Sequence, residues 1–274
     1  MKCYMAGLST IADMVPLRNE NRALAYFGLK VLRKSPRPGL QKLLRRAKVA
    51  QMHLTEDDVG FMIAPRINAA SRMDVPMEAF RLLATNDDVV AGELSEHLHN
   101  INNERKLLVA VIVKSIKKTL AKRDLKDVIV IGNPKWRVGV LGIVASNIVE
   151  EFGRPVFVWG REGSEHIKGS CRSDGTANLV ELMSCASKDF FLDTGGHELA
   201  GGFSIEQKNI HLLEDELVAG YGKVKREQDI GQKTADKILS IEDVTWNTYK
   251  DIERFAPFGV GNPKPVFLFQ DIEV

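Results

Sequence analysis

The sequence predicts an α/β protein, with the helices gathered in the first part of the chain and the strands in the second. Up to about residue 123, apolar residues recur at the spacing of an α-helix. After that point two short apolar runs, DVIVIG and PVFVW, flank a segment with helical periodicity. A strand, a helix and a strand within about 30 residues form a βαβ unit with parallel strands. Glycine-rich segments and further strands follow.

The first part is expected to consist of helices. We predict a helix over 21–31, a break at 35–39, and a short basic helix over 40–49. Thr55 and Asp58 have the spacing of a capped helix start, and Pro65 is expected to end that helix, which leaves 66–72 as a loop or short helix. A helix and then a long helix follow within 76–123, with an apolar face formed by Leu82, Leu83, Leu94, Leu98, Ile101, Leu107, Leu108, Ile112, Ile116 and Leu120.

The second part alternates between strands and helices. Strands are predicted at 127–132, 155–159 and 166–173, helices at 137–152, 178–187 and 207–221, a glycine-rich loop entering a strand at 195–205, and a β element within 255–274.

Composition excludes several classes of protein. The 274 residues are 44% hydrophobic and 27% charged, which is typical of a globular protein and not of a disordered, collagen-like or disulfide-scaffold chain. No apolar run approaches the roughly 18 residues of a membrane-spanning helix. The three cysteines include no C-x-x-C pair, so neither a disulfide framework nor a structural zinc site is expected. We expect no membrane partner and a cytoplasmic location.

Charge is distributed unevenly along the chain. The net charge of +2 combines +9 for residues 1–50 with −7 for residues 51–274. A basic segment favours contact with a polyanion such as nucleic acid, because lysine and arginine release counterions from phosphates. A solvated helix face explains the same charge run equally well.

Three short segments are candidates for binding an anion. Lys168, Ser170 and Arg172 would share one face of a strand and suit a phosphate, although a surface arginine on an edge strand is the simpler alternative. Gly195-Gly196-His197 would let backbone N–H groups approach an anion or a nucleotide, or would be a turn with a hydrogen-bonded histidine. The third segment, 133–136, precedes a helix and is more simply explained as a βα turn.

Asp13 lies between apolar residues in a segment suited to burial. A buried carboxylate needs an arginine or a metal ion as its partner, and a cap or salt bridge is the plainer explanation.

Together these segments resemble the DHH phosphoesterases, and within them the single-strand-specific exonucleases of the RecJ family. The similar blocks are 9–29, 64–73, 99–106, 136–158, 168–173, 195–205 and 257–267, in the family's order. The resemblance implies an α/β fold in four parts. These are the C-terminal part of a DHH catalytic domain (1–86), a connector helix (87–123), a DHH-associated substrate-binding domain with a mixed sheet (124–225), and a linker with the start of an OB-fold-like domain (226–274).

The resemblance also implies a chemistry and a set of site residues. The family uses two divalent cations, Mn²⁺ or Mg²⁺, and Asp13 matches the last of its metal-binding motifs. The residues implied to bind substrate or phosphate are Ser170, Arg172, Gly195, Gly196, His197, Arg66 and Arg72. No two of the six histidines are adjacent, so the Asp-His-His motif that names the family is absent from this sequence. The earlier acidic motifs are absent too, and the chain is expected to be a fragment without a complete catalytic site.

Three hypotheses about function follow. The first is a metal-dependent 5′-to-3′ exonuclease on single-stranded DNA in recombination and repair, of which this chain alone is inactive. The second is a binding module for single-stranded nucleic acid, or half of a split enzyme whose other half is an upstream DHH-domain polypeptide. The third is a related phosphoesterase acting on oligonucleotides or cyclic dinucleotides. The oligomeric state stays open.

Overall fold

A computed structural model describes residues 3–73, 75–226 and 234–270, and the side chain of Cys3 is outside this description. The chain forms two units, one from the described residues of 1–102 and 231–274, the other from those of 103–230. The predicted four-part division stays a prediction, and parts of its last segment, 227–233 and 271–274, lie outside the described residues.

The first unit begins with helices α1 (Cys3–Ala12), α2 (Asn19–Leu32) and α3 (Pro38–Ala47). The predicted helix over 21–31 and the basic helix over 40–49 are confirmed within a few residues. Gly7 and Gly28 allow α1 and α2 to pack at very short distance. A Cβ atom on Gly7 would lie 2.4 Å from the carbonyl oxygen of Leu24 and 3.0 Å from the Cα of Gly28. Glycine is therefore required where the two helices cross.

The prediction that Pro65 ends a helix is wrong. Thr55 and Asp58 cap the helix start as expected, because the Thr55 N–H donates to Asp58 Oδ2 at 2.9 Å and the Asp58 N–H donates to Thr55 Oγ1 at 3.2 Å. A π-helix (Asp58–Ile63) then passes directly into α4 (Ala64–Met73), which contains Pro65. The wider π turns place Pro65 in the first turn of α4, where its missing N–H breaks no α-helical hydrogen bond. Residues 66–72 are therefore helical.

The predicted pair of a helix and a long helix is confirmed as α5 (Pro76–Ala84) and α6 (Asp88–Leu120). Leu107 was expected on the buried face of α6, yet its side chain is 69% exposed. The rotation of about 100° per residue explains the difference, since five residues place Leu107 about 140° from the buried Ile112. The boundary between the two units falls inside this helix, after Asn102.

The second unit is built on a mixed sheet of five strands, as predicted for an α/β domain. The strands are β1 (Ile129–Gly132), β2 (Val156–Gly160), β3 (Ile167–Arg172), β4 (Phe191–His197) and β5 (Ala200–Ile205). Their order is β1-β2-β3-β5-β4. β1 and β2 are parallel, joined through α7 (Leu141–Phe152), and the other pairs are antiparallel. The predicted βαβ unit is confirmed.

Helices cover the two faces of this sheet differently. On one face α8 (Leu179–Ser184) and α9 (Leu213–Val224) enclose a core that includes Phe157, Cys171 and Phe203. On the other face α7 packs against β2 and β3.

The glycine-rich segment is part of a strand and not the loop that was predicted. Gly195, Gly196 and His197 form the end of β4, which pairs with β5 in a hairpin turned by Glu198 and Leu199. Gly196 has φ +138°, and a Cβ there would lie 2.3 Å from the Ala200 carbonyl oxygen. Glycine lets the two backbones come this close, so a segment with loop-like composition can pair as a strand.

Residues 234–270 belong to the first unit. Two short parallel strands, β6 (Lys237–Ile238) and β7 (Phe267–Leu268), pair with each other, and helix α10 spans Trp246–Glu253. The predicted β element within 255–274 is thus confirmed for the described residues. Within residues 3–73, 75–226 and 234–270, no helix combines the length and hydropathy needed to cross a membrane.

Candidate phosphate and nucleotide site

Strand β3 places three polar side chains on one face of the sheet. Lys168, Ser170 and Arg172 alternate with the buried Ile167, Gly169 and Cys171. The expectation that the three side chains share a face and that Cys171 points away is therefore confirmed. Such a face can present an ammonium, a hydroxyl and a guanidinium to one ligand.

Strand register brings the histidine and a glycine of β4 to the same face. Arg172 pairs with Ala200, which pairs with His197. Directly paired residues point to the same side of a sheet, so His197 faces the same way as Arg172, about 10 Å away across two strand spacings. Ser170 is related in the same way to Gly202 and then to Gly195. Gly196 belongs to the opposite face.

The floor between these side chains is bare backbone. A Cβ atom on Gly195 would meet nothing within 4 Å, and one on Gly202 would meet only the Gly169 carbonyl oxygen, at 3.6 Å. This part of the sheet can therefore accept a flat or bulky group directly against its peptide groups.

The start of α7 forms one wall of the site. A Cβ atom on Gly142, in the first turn of α7, would lie 2.9 Å from Arg172 Nη2 and 3.7 Å from Ser170 Oγ. Arg172 Nη1 also donates a hydrogen bond to the Cys171 carbonyl oxygen at 2.8 Å. A 3₁₀ turn (Val138–Val140) leads directly into α7, with the Leu141 N–H donating to the Val138 carbonyl oxygen and the Val138 N–H donating to Glu162 Oε2 at 2.9 Å. The guanidinium and the hydroxyl therefore converge beside the first turn of α7, which is an arrangement suited to a phosphate.

Cys171 supports this site from the other face and takes no part in it. Burial raises the pKa of its thiol to about 12, against smaller opposing effects of the Arg172 charge and of a hydrogen bond with the Gly201 backbone. A thiol with so high a pKa is not a nucleophile at neutral pH.

The remaining predicted residues lie in the first unit, and the expected burial of Asp13 is wrong. Helix α1 ends at Ala12, Met14 adopts a left-handed φ of 52°, and the turn carries Asp13 to the surface. Arg72 is exposed in the last turn of α4, whereas Arg66 is only 6% exposed.

Arg66 is held by protein groups. It donates to the Met62 carbonyl oxygen and, from Nε, to His99 Nδ1 at 3.4 Å, and burial lowers the pKa of its guanidinium. In the described parts of the chain, no three His, Cys, Asp or Glu side chains are grouped so as to hold a metal ion.

Sequence reasoning missed Gly142. The signal was present, because a glycine in the first turn of an otherwise apolar helix has a poor helix propensity and needs a packing reason. The segment 133–136 is a turn, as favoured, in which the Lys135 N–H donates to Asn133 Oδ1 at 2.9 Å. Gly160 lies under this turn, since its Cβ would be 2.4 Å from the Trp136 carbonyl oxygen.

Comparison with known proteins first defines the class. Residues 125–219 match the DHHA1 domain, so the site formed by Ser170, Arg172 and the β4–β5 hairpin lies in a DHHA1 domain. Residues 235–274 match the RecJ OB domain.

The particular relatives are RecJ proteins. The chain is 34% identical to the single-stranded-DNA-specific exonuclease RecJ of Bacillus subtilis, over 97% of this chain and 34% of the relative. It is 33% identical to RecJ of Haemophilus influenzae, over 96% and 48%. The crystal structure of Thermus thermophilus RecJ with Mn²⁺ superposes with a TM-score of 0.84 at 32% identity, covering 97% of this chain and 39% of that one. The chain is a RecJ homologue, and it spans about a third to a half of the curated relatives it matches.

Proposed function

We propose that this chain supplies the substrate-holding part of a metal-dependent exonuclease that removes nucleotides from the 5′ end of single-stranded DNA, in recombination and repair. The observation that carries the proposal is the convergence of Ser170, Arg172 and the first turn of α7 beside an open glycine floor. The relatives are described as single-stranded-DNA-specific exonucleases, which supports this substrate.

Different residues of the site bind different parts of the terminal nucleotide. Arg172 and Ser170 bind the 5′-phosphate beside the first turn of α7. The sugar and base lie on the floor formed by Gly195 and Gly202, where side chains would block them. His197 borders this floor and donates a hydrogen bond to the nucleotide or stacks against its base.

The metal requirement comes from the relatives, since RecJ of Thermus thermophilus has been crystallised with Mg²⁺ and with Mn²⁺. Mg²⁺ and Mn²⁺ prefer several oxygen ligands, and Asp13 is the one residue of this chain that we propose as a ligand. The described residues do not form a cation site by themselves, so no hydrolytic step is assigned to them. We propose that the chain alone binds its substrate and hydrolyses it negligibly.

Binding of a 5′-phosphorylated and a 5′-hydroxyl decadeoxynucleotide tests the site directly. The Arg172→Ala variant should lose most of the preference for the phosphorylated end. Arg161→Ala is the matched control, because Arg161 is in the same unit and bonds to the Ser164 carbonyl oxygen. Equal preference in wild type and Arg172→Ala would contradict the proposal.

A second measurement tests the proposed lack of hydrolysis. Mononucleotide release from the same 5′-phosphorylated strand is followed with the purified chain in Mn²⁺. We expect none above background, and release should appear when a polypeptide carrying an Asp-His-His motif from a RecJ relative is added. Rapid release by the chain alone would overturn this part of the proposal.

A further inference from the structure

A second concave surface of the 103–230 unit lies between the later turns of α6 and the outer face of α7. This groove has a volume of about 500 Å³. Its floor is apolar, from Val109, Val113 and Ile143. Its rim carries four cations, Arg105, Lys106, Lys114 and Lys117, and no carboxylate among the lining residues.

The charge of this part of α6 is strongly one-sided. Residues 103–120 hold five lysines and arginines against one acidic residue, Glu104. Lys117 forms an ion pair with Glu151, which places this end of the groove beside the last turn of α7. Lys106 and Lys114 are exposed and both line the groove, about 12 Å apart along the helix and about 80° apart around it. An apolar floor with a cationic rim suits a polyanion that also has apolar surface.

The direction of the groove links it to the phosphate site. Ile143 and Asn147 of α7 line it, and Glu151 continues the same face one turn later. The other end of the groove, at Ile143, therefore lies at the first turn of α7, which also carries Gly142 beside the Arg172 guanidinium. Ile143 follows Gly142 by one residue and lies about 100° further around the helix, so a strand whose terminal phosphate is bound at Arg172 reaches the basic groove by passing around the first turn of α7.

We propose that this groove binds the single-stranded DNA that continues from the terminal nucleotide, with Lys106 and Lys114 on its phosphates and its sugars and bases against the apolar floor. The proposal rests on the proposed function for the position of the strand's first nucleotide. Charge complementarity favours single-stranded DNA as the ligand, because a nucleic acid strand carries both regularly spaced phosphates and bases that can pack on an apolar surface. The groove would then set how affinity depends on strand length.

The test compares two double variants of equal charge. Lys106→Ala with Lys114→Ala removes two groove cations, and Lys118→Ala with Lys122→Ala removes two exposed lysines outside the lining of the groove. Binding of 5′-phosphorylated oligothymidylates of two and twelve nucleotides is measured by fluorescence anisotropy at several salt concentrations. All four substituted lysines are exposed, so both variants should fold, and circular dichroism checks this.

The groove variant should bind the twelve-nucleotide strand about 25-fold more weakly at 0.1 M salt, with the slope of log K against log salt reduced by about 1.4, as expected for two lost phosphate contacts. Its affinity for the dinucleotide should be unchanged, and the control variant should lose far less. Equal affinities of the two double variants for the long strand would overturn the proposal. Failure of the terminal site appears separately, as an Arg172→Ala variant with unchanged dinucleotide binding.

Discussion

Gly142→Ala should damage the phosphate site without removing any of its functional groups. The new Cβ would lie 2.9 Å from Arg172 Nη2, so the guanidinium must move by about 0.5 Å to reach ordinary contact distance. Hydrogen bonds between nitrogen and oxygen occupy a window of only about 0.5 Å, so this displacement costs at least one bond to a bound phosphate. A hydrogen bond to a charged group contributes about 1.5–3 kcal/mol, which corresponds to a loss of about 10- to 150-fold in affinity for the phosphorylated end.

Stability should move in the opposite direction. Alanine is favoured over glycine inside a helix by about 1 kcal/mol, and the clash is with the movable end of a side chain. We therefore expect an equal or higher melting temperature together with a lost preference for 5′-phosphorylated over 5′-hydroxyl decamers. Gly222→Ala in α9 is the control, because a Cβ there meets nothing within 4 Å. Retention of the full phosphate preference by Gly142→Ala would refute the assigned geometry.

Two further predictions concern packing inside each unit. Gly39→Ala should destabilise the first unit by about 3 kcal/mol in chemical denaturation, because the new Cβ would lie 1.7 Å from the Leu82 carbonyl oxygen. Gly92→Ala on α6 is the control and should not destabilise the unit, because a Cβ there meets nothing within 4 Å. Equal effects of the two substitutions would contradict the described packing of Gly39. Cys171, kept as the single cysteine, should react with a thiol reagent at pH 8 about 1000-fold more slowly in the folded than in the unfolded chain, because burial raises the pKa of its thiol to about 12 from about 9. The folded thiol keeps its proton where the unfolded thiol loses it, so its contribution to stability is complete below pH 9 and falls as the pH rises towards 12.

The periodicity of apolar residues was sufficient to predict the regular helices and strands. The βαβ unit around α7 and the alternation of Lys168, Ser170 and Arg172 follow from apolar patterns of 3.6 and 2 residues. Pro65 shows where a local rule fails, since a π-helix before it shifts the proline into a first turn. The residue types around Asp58 do not predict the π-helix that begins there.

The candidate site shows a second limit of sequence reasoning. Ser170 and His197 could each be singled out, but their common face depends on strand register, which is set by pairings between segments about 30 residues apart. The role of Gly142 depends on where α7 crosses β3. Asp13 was expected to be buried because its neighbours are apolar, and the helix end at Ala12 reversed that expectation.

The first unit is assembled from two distant stretches of the chain, and this affects its folding during synthesis. The Leu17 N–H donates to the Val260 carbonyl oxygen at 2.6 Å, Arg22 to that of Phe255 at 2.7 Å, and the Phe258 N–H to Glu56 at 3.0 Å. At about 5–20 residues per second, a ribosome reaches Val260 roughly 10–50 s after Leu17. The uninterrupted 103–230 unit can fold in that interval, whereas the N-terminal part of the first unit can form its hydrogen bonds with residues 255–260 only after these are synthesised. Truncation of the chain near residue 255 should therefore destabilise the region around Leu17, Arg22 and Glu56, which is more than 190 residues away in sequence.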